Sequence, residues 1–337
     1  MSTIDASIEP YRKKMHIYQK IRLSMSLLSL LIALMAEKSL SSSMWRFDHY
    51  YQKYVSFFQN NSTLSQLKSS NFSYTIFLLF PVAVVYGILK LVDDGLLHLI
   101  ISTLILIVSF GCFTTRNSYK EYLHAAFRGE VTTSELHHQQ LLQDKNIPAM
   151  GFGQALIWLN YRYYIAIMLF FVFFGAAGVV FYRLLTTVIE QQNGCSLDSN
   201  TAEHENNDQA EHVEARDSES IIDDAPEQNN VPSISSGCKN YHHILFYLDW
   251  LPVRITSLGY MFVGHFSKAL PMWLESLFDG KKPTHEILID VAQKSEDIMV
   301  NEDDCTAEPC LLVRLAKRNA LLVLAAISAL TLVGIIG

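Results

Sequence analysis

Residues Tyr163–Tyr182 carry no charge, and an arginine closes each end, Arg162 before and Arg183 after. A helix needs about 20 consecutive apolar residues to cross the hydrocarbon core of a bilayer. Inside lipid the backbone must satisfy its own N–H and C=O groups, so such a segment is driven to be helical. Three further apolar runs have similar length, at 74–92, 96–113 and 320–337. A shorter one lies within 23–40, where Leu23–Ala36 is apolar and Glu37-Lys38 follows. It reaches spanning length only if those two charges snorkel or face other helices, so it reads either as a short fifth span or as an interfacial helix. The expected fold class is all-α, a polytopic helical membrane protein with four transmembrane helices and a short fifth at the N-terminus.

Composition agrees with that class. Charged residues are 18% of the chain and hydrophobic residues 50%, against about 25% charged in ordinary soluble domains. The net charge of −7 is local rather than global. Residues 196–227 hold eleven acidic side chains and a single base, Arg216, and without them the chain is mildly basic. Such a balance suits a neighbour of anionic lipid and gives no sign of a nucleic-acid surface.

The organisation follows from these runs. Residues 1–24 are an N-terminal extension or precede an alternative start. Residues 25–190 form the membrane region, with helices near 23–40, 74–92, 96–113 and 163–182. Residues 191–240 are rich in Asp, Glu, Asn, Ser and Gln and are expected to be a disordered insertion. The part from 241 to 310 holds an impure apolar segment and a polar loop, and 311–337 is a last transmembrane helix. Within 41–72, aromatic residues recur at helical spacing, which fits an interfacial amphipathic helix or an ordinary packing face. Pro81 lies inside the second run, and Gly175-Ala176-Ala177-Gly178 in the fourth would let another helix approach closely.

The segment near 246–271 is too polar for a simple lipid-facing span and is expected to be re-entrant or interfacial, or to face a protein interior. It contains Asp249, Pro252, Arg254 and His265. A carboxylate and a guanidinium are each expensive to bury alone, so pairing or a polar cavity is expected for Asp249 and Arg254, whether as a ligand site or as a structural ion pair. Asn160, Arg162 and Tyr163, at the mouth of the fourth run, suit headgroup or ligand contacts or a simple aromatic belt. Glu37 and Arg128 are weaker candidates, and His265 is a lone histidine. Cys195 and Cys238 flank the insertion and would pair as a disulfide in an oxidising compartment. No metal-ligand spacing, phosphate-binding loop, dinucleotide fingerprint or nucleophile elbow is present, so no metal, cofactor or catalytic residue is assigned.

Several of these stretches resemble one family. They are Asn160-Tyr161-Arg162-Tyr163, Tyr182-Arg183, Leu248-Asp249-Trp250-Leu251-Pro252-Val253-Arg254 and Val263-Gly264-His265-Phe266-Ser267-Lys268-Ala269-Leu270-Pro271. Together with Ala36-Glu37-Lys38 and Leu315-Ala316-Lys317-Arg318 they are similar to the AmpE family. The resemblance implies a multi-pass inner-membrane protein of a Gram-negative bacterium, acting as a sensor or signalling modulator in β-lactamase induction, the response to antibiotic and cell-wall recycling. It implies partners of three kinds: the lipid bilayer, a muropeptide or other cell-wall fragment, and proteins of the β-lactamase regulatory system. Asp249, Pro252 and Arg254 also match a D-x-x-P-x-R pattern shared with the CobD/CbiB membrane proteins of cobalamin synthesis, which implies the alternative of an amide-forming enzyme. With a start at Met25, the basic loops 37–72 and 114–162 would face the cytoplasm and the acidic insertion the periplasm.

Overall fold

A computed structural model of the chain describes residues 25–37, 39, 45–60, 72–92, 94–111, 113–191, 238–280, 282–296 and 306–334. The regular elements among them are all helical: α1 (Met25–Glu37), α2 (Phe47–Asn60), α3 (Phe72–Leu91), α4 (Gly95–Ser109), α5 (Phe113–Phe127), α6 (Val131–Asp144), α7 (Phe152–Asn160), a π-helical turn (Tyr161–Ile165), α8 (Ala166–Gln191), α9 (Cys238–Val263), α10 (Phe266–Phe278), α11 (Thr284–Ser295) and α12 (Ala307–Val333). The N-terminal extension, nearly all of the acidic insertion and Cys195 lie outside the described residues, so the Cys195–Cys238 pairing does too.

Length and composition qualify fewer spans than the sequence suggests. Among the described residues two helical stretches are long and apolar enough to cross a membrane, Gly95–Phe127 and Phe152–Gln191, rather than four. The run at 96–113 is interrupted: α4 ends at Ser109, and α5 opens a polar stretch with Arg116, Lys120 and Glu121. The apolar part of α3, Thr75–Leu91, and the helix Met25–Glu37 are shorter. In α12 the charges Arg314, Lys317 and Arg318 push the apolar part beyond Asn319, and the helix stops at Val333. The outward faces of α3, α4 and α12 are nevertheless apolar, with Leu79, Phe80, Val84, Leu96, Ile100, Leu321 and Leu332 exposed. Helices that are apolar on the outside as well as the inside belong in a non-aqueous environment.

The stretch Phe152–Gln191 is not one straight rod. Gly175 sits at φ 67 and ψ −165, a conformation almost confined to glycine, and it breaks α8. Tyr161 and Tyr182 both donate to Oδ1 of Asp249, at 2.6 and 3.1 Å. On a straight helix two residues 21 apart would be separated by roughly 31 Å, beyond the reach of any side-chain pair. Tyr163 likewise meets Glu190, and Phe170 stacks on Tyr182 at 4.5 Å. The chain therefore folds back at Gly175 into a helical hairpin. Its tip exposes Phe173 and Phe174, while its base gathers the polar residues at both ends of the apolar run. The small residues after Phe174 serve this reversal within the segment.

α9 runs unbroken through Pro252 and packs against α8, α10, α11 and α12 at the centre of the bundle. The segment near 246–271 is helical on both sides of a corner. Its first part is a helix with one face packed among its neighbours, followed, after Gly264-His265, by α10. Its polar residues face neighbouring helices, which explains why the apolar pattern is impure. The aromatic residues of α2 form a packing face: Tyr51, Tyr54 and Phe58 surround Phe77 of α3, and the Tyr54 hydroxyl donates to the Phe77 carbonyl at 2.8 Å.

Candidate functional site

The base of the hairpin holds a cluster of buried charge. Arg162 stands in the π-helical turn, where the widened helix presents Tyr161, Arg162 and Tyr163 inward together, all three buried. The returning arm contributes Tyr182, Arg183 and Glu190. Arg183 and Glu190 are seven residues apart, close to two full helical turns, and so share a face. Lys145 enters from the connection after α6. Relative exposure is 8% for Lys145, 5% for Arg162, 1% for Arg183 and 7% for Glu190.

Glu190 is the hub. Its Oε2 accepts from the Tyr163 hydroxyl at 2.9 Å and lies 3.7 Å from Nζ of Lys145. Its Oε1 lies 3.9 Å from Nη1 of Arg162 and 3.8 Å from Nη1 of Arg183, too far for hydrogen bonds. Lys145 donates to the Tyr163 hydroxyl at 2.7 Å. Burial alone would lower the Lys145 pKa, but Tyr163 and Glu190 outweigh it, and the ammonium is held above its ordinary value. The guanidiniums also rest on rings: Arg162 on Trp158 at 5.0 Å, and Arg183 on Tyr163 at 4.6 Å and on Phe47 at 5.5 Å. Nε of Arg162, Nε and Nη1 of Arg183, Oε1 of Glu190 and Oδ1 of Asn160 are buried without a hydrogen-bond partner.

Asp249 adjoins this cluster from α9 and is held by the Tyr161 and Tyr182 hydroxyls. It does not pair with Arg254. Five residues along an α-helix turn the side chain by about 140°, so the two point to different neighbours. Nη1 of Arg254 donates to the carbonyl of Trp250 at 2.9 Å, and its Nη2 to those of Ser276 and Asp279 at 2.8 and 2.9 Å. The guanidinium stacks on Trp250 at 4.2 Å and sits at the end of α10, where free carbonyls favour a cation. Trp273 closes the corner by donating to the Arg254 carbonyl at 3.1 Å. Arg254 thus ties α9 to α10. Pro252 is buried one turn from Asp249, and its carbonyl accepts from Thr256 at 2.7 Å.

The remaining candidates stand apart. Glu37 pairs with Nη2 of Arg116 at 2.9 Å and accepts from Tyr164 at 3.0 Å, joining α1 to α5 and to the π-helical turn. Arg128 is exposed on the surface, near Glu130. His265 lies at the α9–α10 corner, roughly 24 Å along the helix from Asp249 at 1.5 Å per residue. Lys145 and Glu190 belong to the cluster but carry no local motif. For Glu190 the heptad spacing from Arg183 is a signal that the sequence offers. For Lys145, in a polar loop, there is none. His285 of α11 packs its ring against Trp158 at 5.9 Å, and burial, then the charge of Arg162, lowers its pKa to about 4. Among the described residues no group of His, Cys, Asp and Glu could hold a metal ion.

The cluster presents fixed cations with idle donors, an arrangement that can hold an anion. A family model described as "Regulatory signalling modulator protein AmpE" matches residues 25–207 and 228–337. The Protein AmpE of Shigella flexneri is 25% identical over 246 residues, covering 70% of this chain and 74% of that protein. No solved structure matches the chain. With its family model matched over most of its length, the chain belongs to the AmpE family of regulatory signalling modulators.

Proposed function

We propose that this protein is a multi-pass inner-membrane sensor or modulator in β-lactamase induction and cell-wall recycling, and that the hairpin base is the part that responds. The observation that carries this is the buried cluster of Lys145, Arg162, Arg183 and Glu190, whose donors and acceptors are left partly idle. Buried polar groups are normally paired, and an idle set is costly unless something supplies the missing partner. The family description supports a regulatory role. On this reading the ligand is a cell-wall fragment such as a muropeptide, and the signal passes to proteins of the β-lactamase regulatory system, as the family resemblance implies.

The hairpin also bears on topology. From Arg162 to Gly175 is roughly 20 Å of helix, and from Arg183 to Gly175 roughly 12 Å. Neither covers a hydrocarbon core of about 30 Å. On this reading the segment dips into the bilayer at Phe173-Phe174 and returns, so that Gln191 leaves on the side where Phe152 entered. That places residues 114–162 and the start of the acidic insertion on one side, in place of the opposite sides expected from the basic loops.

Deletion followed by complementation tests the function. Wild-type protein should restore the inducible β-lactamase response of a deletion strain, and Asp249→Ala or Arg162→Gln, expressed at equal level, should not. Full restoration by both variants would sink the assignment of the cluster, and an unaltered response in the deletion strain would sink the regulatory role.

A further inference from the structure

We infer that the hairpin base is a binding site for a singly charged oxyanion that carries a neighbouring N–H or O–H donor, a peptide carboxylate or a phosphodiester headgroup. The inference rests on the reading of the cluster as the responsive site and adds the chemistry of its ligand.

Charge balance is the first argument. The buried cations Lys145, Arg162 and Arg183 face two buried carboxylates, Glu190 and Asp249. Asp48 lies 3.9 Å from Nη2 of Arg183 but is half-exposed, so solvent screens it. Guanidinium stays charged in proteins, and here the cationic excess cannot be relieved by loss of a proton from arginine. One more negative charge restores balance.

Geometry is the second. The idle donors are Nε of Arg162 and both Nε and Nη1 of Arg183. Nε and Nη1 of one guanidinium are separate donors of the fork that planar oxyanions engage. Oε1 of Glu190 and Oδ1 of Asn160 are idle acceptors, which calls for a donor on the same ligand. A carboxylate next to an amide N–H has both, as does a glycerol phosphodiester with its free hydroxyls. At the α4–α5 turn the neighbour is Gly111, whose backbone packs so close that a methyl group there would come within 3.1 Å of Nη2 of Arg183.

Isothermal titration of the full-length protein in detergent tests the inference with four probes: an N-acetylated dipeptide with a free carboxylate, its C-terminal amide, a short-chain phosphatidylglycerol and the matching uncharged diacylglycerol. At least one anion should bind while its neutral counterpart does not, and which one binds identifies the source. Arg183→Gln should weaken that binding at least tenfold. Glu190→Gln should tighten it severalfold, because it removes the competing carboxylate. If Arg183→Gln does not fold, Arg162→Gln takes its place. Absence of binding by both anions, equal binding of a neutral counterpart, or weaker binding by Glu190→Gln would overturn the inference. Failure here with the cellular phenotype intact removes the oxyanion and leaves the regulatory reading. Binding without a phenotype does the reverse.

Discussion

At Gly264 and at Gly175 the chain turns one helix back towards another, and each turn encloses an arginine. Gly264 is required by close approach, since a side chain there would run into the backbone of Ser295. The corner it makes is closed by backbone: His265 N–H donates to the Ser295 carbonyl at 2.7 Å, and Arg254 donates to the Ser276 and Asp279 carbonyls across the junction and to the Trp250 carbonyl of its own helix. Gly175 is required by its positive φ, and the hairpin it makes encloses Arg162 and Arg183 with donors to spare. Both guanidinium sites are buried and aromatic, so burial does not separate them. Each also leaves idle donors, Nε of Arg254 at one and Nε of Arg162 with Nε and Nη1 of Arg183 at the other. What separates them is the partner: carbonyls that belong to the fold at one, long ion-pair contacts at the other. The first arrangement holds structure, and the second keeps more of its hydrogen-bonding capacity unused.

The sharpest way to break that contrast is to remove an arginine from each turn. Arg254→Ala should cut two hydrogen bonds across the corner and one within α9, a loss of about 3 kcal/mol at about 1 kcal/mol each. Arg183→Gln should cost clearly less, because it also removes an excess buried cation. Denaturant or thermal unfolding in detergent reads both. Equal losses would erase the distinction. Next in size, Gly175→Ala forces a side chain into a conformation that costs about 1–3 kcal/mol, and it should lower the unfolding temperature without touching the Gly264 corner.

A smaller effect belongs to His285, which links α11 to the hairpin through Trp158. Its imidazole takes a proton near pH 6.5 in the unfolded chain and only at about 4 in the folded protein. Between those values the unfolded state binds more protons, so stability should fall as pH drops from about 6.5 towards about 4. A pH series of unfolding curves should show that slope in the wild type and a flatter one in His285→Gln. The smallest effect is expected at Arg128, which is exposed outside both turns: Arg128→Ala should change stability by no more than about 0.5 kcal/mol.

Much of this was legible in the sequence and some was not, for physical reasons. Apolar runs announce helices because the backbone has no other way to satisfy itself in lipid, and the all-helical fold follows. They do not announce reversal. Tyr163–Tyr182 has the length and polarity of a crossing helix, and only the backbone at Gly175 turns it into a hairpin. Asp249 and Arg254 stood out because charge in an apolar segment needs a partner. Of the two outcomes expected for them, pairing or a polar cavity, they do not pair with each other, because a helix rotates them apart. Asn160, Arg162 and Tyr163 were visible at the mouth of the run. Lys145 was hidden because its loop meets Tyr163 only through tertiary packing, and Glu190 offered only its seven-residue spacing from Arg183, since its other partners come from the opposite arm and from that loop.

The central claim is that residues 152–191 fold back on themselves. Cysteines placed singly at Ala149 and Gln191, both exposed just outside the hairpin, can be labelled with a membrane-impermeant maleimide in right-side-out and inverted membrane vesicles, after the native cysteines are replaced. The account predicts that both positions react from the same side. Labelling from opposite sides would mean that the segment crosses as a single helix, and would contradict it.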